Sequence, residues 1–275
     1  WSAKALFERP DLVRDVHLDY LRAGADVVTS ASYQATVEGF MKRGFSEAEA
    51  AALLQKSVHL AQEARDLYLA ERGTHDPAPL VAASVGPYGA YLADGSEYRG
   101  DYDVDEDALT EFHAGRLRLL TAAQPDLLAC ETLPCLIEAR AIVRALRAEK
   151  IRIPAWFSFS CRDAAHISDG TEIAECARFL DGVPEAAAIG LNCTAPQYVE
   201  ELIRTIRQET AKPIIVYPNS GESYDASDKT WHGAAEDFGA LACRWRSAGA
   251  RLIGGCCRTS PREIVEISTW AKNAE

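Results

Sequence analysis

Two kinds of segment alternate along this chain, and that alternation limits what it can fold into. Short runs rich in Val, Ile and Ala cover Asp26–Ser30, Leu80–Val85, Asp126–Cys130, Ala155–Phe159, Ala186–Leu191, Pro213–Tyr217 and Arg251–Gly254. Between them lie longer amphipathic stretches such as "SEAEAAALLQKSVHLAQEARDLYLAE", "DEDALTEFHAGRLRLLTAA" and "LIEARAIVRALRAE". Runs that are apolar on both faces suit parallel strands covered by helices. Three lead-ins, "AGADVV", "AQPDLL" and "AGARLI", resemble one another and reinforce the repeat. Such βα units predict a parallel (β/α)8 TIM barrel or a doubly wound open sheet. The visible runs are one short of eight, and a helix over Asp11–Arg22 precedes the first of them. A barrel therefore needs a first strand upstream of Trp1, absent from this sequence.

The 275 residues fit one such barrel as a single domain, residues 1–275. A net charge of −12 gives no basic footprint for nucleic acid or an anionic membrane. No apolar run approaches the ~18 residues of a membrane span. The opening "WSAKALFERP" lacks the basic and apolar regions of a secretory signal. A chain of this size builds a core without disulfide staples, so its eight cysteines predict a reduced, cytoplasmic protein with free thiols.

In a barrel, reactive groups collect at the C-terminal ends of strands. Those positions hold Cys130 and Glu131 in "DLLACETLP", Asn192 and Cys193 in "AAAIGLNCTAP", Tyr217, Asn219 and Glu222 in "PIIVYPNSGE", and Cys256 and Cys257 in "RLIGGCC". Adjacent strand residues point to opposite faces, so both vicinal sulfurs reach one point only where the backbone bends. Gly254 and Gly255 are expected to supply that bend through unusual φ/ψ. Ser260-Pro261-Arg262-Glu263 then reads as a capping box with proline at the first helical position, and the helix start favours ionised sulfur. Cys130 precedes Glu131 and is expected to face the strand–helix layer. Cys135, Cys161, Cys176 and Cys243 read as core or loop residues, and His17, His59 and His113 as helical surface or packing residues.

On the residues alone, Cys193, Cys256 and Cys257 are buried apolar filler, a vicinal pair open to oxidation, or a three-thiolate metal site. Soft sulfur selects zinc over magnesium or calcium. Three protein ligands leave a tetrahedral ion one open position. A centre of net charge −1 makes hydroxide poorly and holds a fourth thiol as thiolate well. A zinc hydrolase on the same frame would want histidine or carboxylate ligands, which the strand ends do not offer. A thiol-based zinc or redox sensor stands as a non-enzymatic alternative.

"GLNCTAP" and "GGCCRTSP" resemble the two zinc motifs of the homocysteine S-methyltransferases. "SVGPYGAYLADGSEYRGDY", "ACETLP", "YPNSGESYDASDKTW" and "ARLIGGCCRT" resemble the S-methylmethionine-using branch. The similarity runs from Trp1 to about Thr269. It implies a (β/α)8 barrel, Zn2+ on Cys193, Cys256 and Cys257 with the homocysteine sulfur as fourth ligand, and the homocysteine amino group near Glu131. The family begins with a strand bearing an Asp-Gly segment, which is the reason to expect a missing first strand rather than an open sheet. The implied reaction moves a methyl group from a sulfonium donor, S-methylmethionine or S-adenosylmethionine, to homocysteine, forming methionine. No catalytic side chain is expected beyond the metal site. Ser84, the Val85 backbone and Tyr88 are expected to line the donor pocket, with loop tyrosines offering cation–π contact. Asn192 and Asn219 are expected to hydrogen-bond substrate or to hold loops. Arg258 either offsets thiolate charge or faces solvent. Betaine as donor, or a cobalamin-linked acceptor module, is the alternative within the same chemistry, although no cobalamin domain is visible in the sequence.

Overall fold

The computed structural model describes residues 2–72, 77–225, 230–232 and 236–273. Seven strands form one parallel sheet: β1 (Val27–Thr29), β2 (Leu80–Val85), β3 (Leu127–Leu133), β4 (Ala155–Phe159), β5 (Ala186–Asn192), β6 (Ile214–Tyr217) and β9 (Ala250–Ile253). A short antiparallel hairpin, β7 (Ser223–Asp225) and β8 (Thr230–His232), separates the last two; the apolar pattern had given no sign of it. The sheet order is β1-β2-β3-β4-β5-β6-β9, with every pairing parallel. A doubly wound sheet reverses its order at a switch point. This order never reverses, so the doubly wound alternative is excluded and the α/β architecture is TIM-like. Part of the "YPNSGESYDASDKTW" motif, residues 226–229, lies outside the described residues.

The helices are α1 (Ala5–Glu8), α2 (Pro10–Arg22), α3 (Val37–Met41), α4 (Glu47–Arg72), α5 (Tyr88–Leu92), α6 (Glu106–Ala122), α7 (Leu136–Ala148), α8 (Ile173–Asp181), α9 (Pro196–Glu209), α10 (Phe238–Ala248) and α11 (Pro261–Asn273). Their starts follow the capping chemistry of the sequence. Thr36, Asp105 and Asp237 accept from the backbone N–H groups of Gly39, Ala108 and Ala240. At α11 the expected box is present: the Glu263 carboxylate accepts from Ser260 N and Oγ, each at 2.7 Å, and Pro261 opens the helix.

Strand parity divides the sheet into two cores. One side of each strand packs into a large apolar layer with the helices, including Val81, Leu128, Cys130, Phe157, Ile189 and Val216. Cys130 is buried there, as its place before Glu131 led us to expect. The opposite parity forms a small inner cluster of Ala82, Ala129, Trp156, Ala188 and Ile215. Two residues further along the same face come Ser84, Glu131, Ser158 and Tyr217, so the inner face turns polar towards the strand ends. Strand β3 runs three residues past its expected end, and its register with β4 shifts between Cys130 and Leu133.

The ends of the chain meet in the helix layer. Tyr20 of α2 donates to the Thr259 carbonyl at 3.2 Å, and Ser268 of α11 donates to the Ala23 carbonyl at 3.1 Å. Among the described residues β1 and β9 nevertheless each pair with one strand only.

Gly190 of β5 packs directly against Ile215 of β6. A Cβ there would fall on the Ile215 carbonyl oxygen. Gly190→Ala is expected to lower stability by about 3 kcal/mol or more, read from urea denaturation, because a backbone atom of a central strand cannot give way.

Candidate metal centre and substrate site

Cys193 follows β5 directly, and Cys256 and Cys257 follow β9 after two glycines. Their side chains converge at the C-terminal ends of the strands. Cys193 Sγ lies 2.6 Å from Cys256 Sγ and 3.6 Å from Cys257 Sγ, and the three sulfurs lie within 4.8 Å of one another. They form a group able to hold a metal ion, and all eight cysteines are free. Crowding separates the acidities of the trio. Hydrogen bonds from Cys193 and Cys256 hold the Cys257 thiol well below the ordinary thiol range, while the same contacts push Cys256 up.

The bend that brings the sulfurs together differs from the expected one. Neither Gly254 nor Gly255 has a positive φ. The left-handed residues are Cys193 at φ 47° and Arg258 at φ 68°. Gly255 is required for space: a Cβ there would lie 2.5 Å from Thr259 Oγ1. That oxygen donates to the Cys256 carbonyl at 2.7 Å and closes the turn.

The neighbouring strand end fastens this turn. Cys256 N donates to the Pro218 carbonyl at 2.7 Å, Cys257 N to Asn219 Oδ1 at 3.2 Å, and Ser220 N to the Cys257 carbonyl at 3.0 Å. Asn219 therefore holds the thiol loop. Asn192 braces the strand ends in the same way: its Oδ1 accepts from Thr132 N and Ser158 Oγ, both at 2.8 Å, and its Nδ2 donates to Thr132 Oγ1 at 2.7 Å. The same Nδ2 stands 3.9 Å from Cys256 Sγ. Thr132 has a φ of 61°, rare for a β-branched residue, and the two bonds from Asn192 fix that conformation. Arg258 faces Glu222 at 3.1 Å and is half exposed, so it balances that carboxylate at the rim.

Glu131 stands on the polar inner face. Its carboxylate accepts from Ser84 Oγ on one oxygen and from Tyr217 OH, at 3.0 Å, on the other. Tyr217 OH is held in turn by Trp156 Nε1 at 2.9 Å and by Ser158 Oγ at 2.6 Å. Burial pushes Glu131 above the usual carboxylate range, and the bonds from Ser84 and Tyr217 and the charge of Arg116 oppose that shift. Each carboxylate oxygen keeps a further lone pair for an incoming cation.

The loop and helix after β2 carry several tyrosines, of which Tyr98 stands near the sulfurs. Val85 ends β2 fully buried. The Tyr88 ring packs against Tyr91, Tyr102 and Phe112 with ring centroids 5.0–5.7 Å apart. Tyr98 lies close enough to Cys193 and Cys257 for burial and the neighbouring thiols to push its hydroxyl to higher pKa. Tyr33, from the loop after β1, is buried, and burial pushes its hydroxyl to higher pKa. Tyr98 is one of the loop tyrosines expected near the donor; Tyr33 carried no signal in the sequence, because a tyrosine in a polar loop has no periodicity. His113 and Arg116 were also passed over as site elements, although both interrupt the buried stripe of α6 formed by Leu109, Leu117 and Leu120.

Fold and site together define a class: an α/β enzyme with a three-cysteine centre at the mouth of its parallel strands. A family profile described as homocysteine S-methyltransferase matches residues 1–271. The homocysteine S-methyltransferase YbgG of Bacillus subtilis is 56% identical, covering 99% of this chain and 88% of that protein. The homocysteine S-methyltransferase of Escherichia coli is 52% identical over 97% of this chain and 86% of its own. The metallated crystal structure of the homocysteine methyltransferase MmuM from Escherichia coli superposes with a TM-score of 0.88 at 47% identity, covering 98% of this chain and 88% of that one. The chain belongs to the homocysteine S-methyltransferase family, in the branch of these bacterial relatives, and is a methyltransferase.

Asn192→Ala would leave the buried Thr132 N–H without its acceptor and remove the brace on its left-handed backbone. A loss of about 1–3 kcal/mol is expected in urea or thermal unfolding, with no other change in the fold.

Proposed function

We propose that this protein transfers a methyl group from a sulfonium donor, S-methylmethionine before S-adenosylmethionine, to the thiol of L-homocysteine, and that zinc is its metal. The converged thiols of Cys193, Cys256 and Cys257 carry this reading. Zinc–sulfur bonds of about 2.3 Å allow two sulfurs sharing one ion to lie up to about 4.6 Å apart. A tetrahedral ion sets its sulfurs about 3.8 Å apart; the Cys193–Cys257 separation of 3.6 Å matches that spacing, and Cys193 and Cys256, at 2.6 Å, would move apart by about 1 Å to share the ion. An all-sulfur donor set of three also selects zinc over hard cations and leaves one tetrahedral position free. Bound there, zinc would keep a substrate sulfur ionised at neutral pH, where a free thiol is mostly protonated.

The chain's own residues supply binding and alignment. Glu131 receives the homocysteine ammonium, with Ser84 and Tyr217 orienting its two oxygens. Asn192 and Asn219 border the sulfur site, hold its loops, and place substrate against it. Ser84, the Val85 backbone and Tyr88 belong to the donor side, and the tyrosines of the loop after β2 favour a cationic sulfonium. The sulfur of homocysteine attacks the donor methyl carbon in line. The S–CH3 bond of the donor breaks, its electron pair returns to the donor sulfur, and the thiol proton is released to solvent. With S-methylmethionine, both products are methionine. No electron is gained or lost overall, so no redox cofactor is needed.

We read the sheet as a (β/α)8 barrel in which one strand between β9 and β1 is not among the described residues. Two single-paired edges and a helix layer already joined between α2 and α11 support that reading. Among the described residues no helix is long and apolar enough to cross a membrane. The net charge of −12 favours small-molecule partners over nucleic acid, and the eight free cysteines favour the reducing cytoplasm.

The test is to incubate zinc-loaded protein with homocysteine and each donor in turn and to measure methionine. Two methionines per S-methylmethionine consumed are expected; absence of methionine with every donor would overturn the reading. Cys193→Ala should lose both bound zinc and turnover. Glu131→Ala should keep one zinc per chain and raise the KM for homocysteine about 10- to 100-fold, the worth of a charged hydrogen bond.

A further inference from the structure

Among the described residues Arg116 is the only lysine or arginine that is buried, with 4% of its surface exposed. It sits on the apolar stripe of α6, yet its guanidinium makes no hydrogen bond to a carboxylate. It donates to main-chain carbonyls of two separate loops instead. Nη1 reaches the Gly86 carbonyl at 2.8 Å, just after β2. Nη2 reaches the Ser32 carbonyl at 2.5 Å and the Tyr33 carbonyl at 2.6 Å, just after β1. The planar fork of arginine makes this three-way hold possible. A buried cation is costly to keep, so its retention needs an account.

The loops it joins are already in close contact. A Cβ at Gly86 would lie 2.5 Å from the Tyr33 carbonyl. From there a chain of hydrogen bonds runs to the substrate carboxylate. Ser32 Oγ donates to the Ser84 carbonyl at 2.7 Å and lies 2.7 Å from Ser30 Oγ, which accepts from Ser84 N at 3.1 Å. Ser84 Oγ then donates to Glu131. The guanidinium thus stands at the outer end of a connected set whose inner end is the Glu131 carboxylate.

We propose that Arg116 is a positioning residue for methyl transfer: by clamping the loop after β1 to the loop after β2, it sets Ser84 and, through Ser84, the Glu131 carboxylate that receives the substrate ammonium. The inference rests on the functional reading given above. Lysine at this position keeps the charge but offers a single ammonium on a flexible stem, which cannot hold three carbonyls of two loops in one plane.

Steady-state kinetics on the zinc-loaded wild type, Arg116→Lys and Arg116→Ala test it, with zinc content and circular dichroism measured on each. Arg116→Lys is expected to keep its fold and one zinc per chain, to raise the KM for homocysteine about tenfold or more, and to change kcat far less. In Arg116→Ala, added guanidinium chloride is expected to lower the raised KM, while sodium chloride at the same ionic strength does not. A folded Arg116→Lys with wild-type KM overturns the proposal. So does a folded Arg116→Ala whose KM does not respond to guanidinium, or a loss in either variant that falls on zinc content alone. If Arg116→Ala does not fold, the lysine variant decides. If the wild type forms no methionine, the functional reading fails first; a normal wild type with indifferent variants overturns the clamp alone.

Discussion

The two-residue period of the strands governs this molecule more than any single bond. Parallel neighbours put alternate residues of each strand on the same face, and an extra residue in β3, β5 and β9 resets the parity locally. One parity meets the helices and is apolar throughout. The other carries Ala82, Ala129, Trp156, Ala188 and Ile215 at one level and Ser84, Glu131, Ser158 and Tyr217 at the next. The polar level therefore forms a connected hydrogen-bonded layer, because each group has a partner one strand over or across the interior. A slip of one residue in β2, β3, β4 or β6 would send one of these polar side chains into the apolar helix layer.

Much of this was legible in the sequence. The seven parallel strands follow from apolar runs spaced by amphipathic helices, and the start of α11 follows from its capping box. The three thiols could be named because strand ends are recognisable and parallel strands bring their ends to one rim. What the sequence hid were backbone conformations and cross-strand partners. Cys193, Thr132 and Arg258 adopt left-handed φ although none is glycine. The residues that do look permissive, Gly254 and Gly255, keep negative φ, and Gly255 is there to admit Thr259. Local propensity points to glycine for a bend; here tertiary hydrogen bonds from Asn192 and from the segment after β6 impose the bends on larger residues.

The polar residues inside the fold share one arrangement. Glu138 is fully buried and accepts from Tyr88 N at 2.5 Å, with His113 Nε2 2.8 Å away. Burial pushes the His113 imidazole to lower pKa, against the pull of Glu138. Arg116, three residues along α6 from His113, reaches Gly86 in the loop after β2 and Ser32 and Tyr33 in the loop after β1. Helices α6 and α7 thus carry charged and titratable groups inward to hold the loops that surround the strand ends. A helix pattern interrupted by polar residues on its apolar face is the sequence trace of such support, and it is a trace that periodicity analysis discards as noise.

The thiols come from strands that are not neighbours: β6 lies between β5 and β9. Cys193 and Cys256 are also 63 positions apart in the chain. An ion shared between them would act as a removable rivet across β6, restricting the unfolded chain as a long covalent loop does. Cohesion of these strand ends and readiness for chemistry would then rise and fall together with the supply of one trace element.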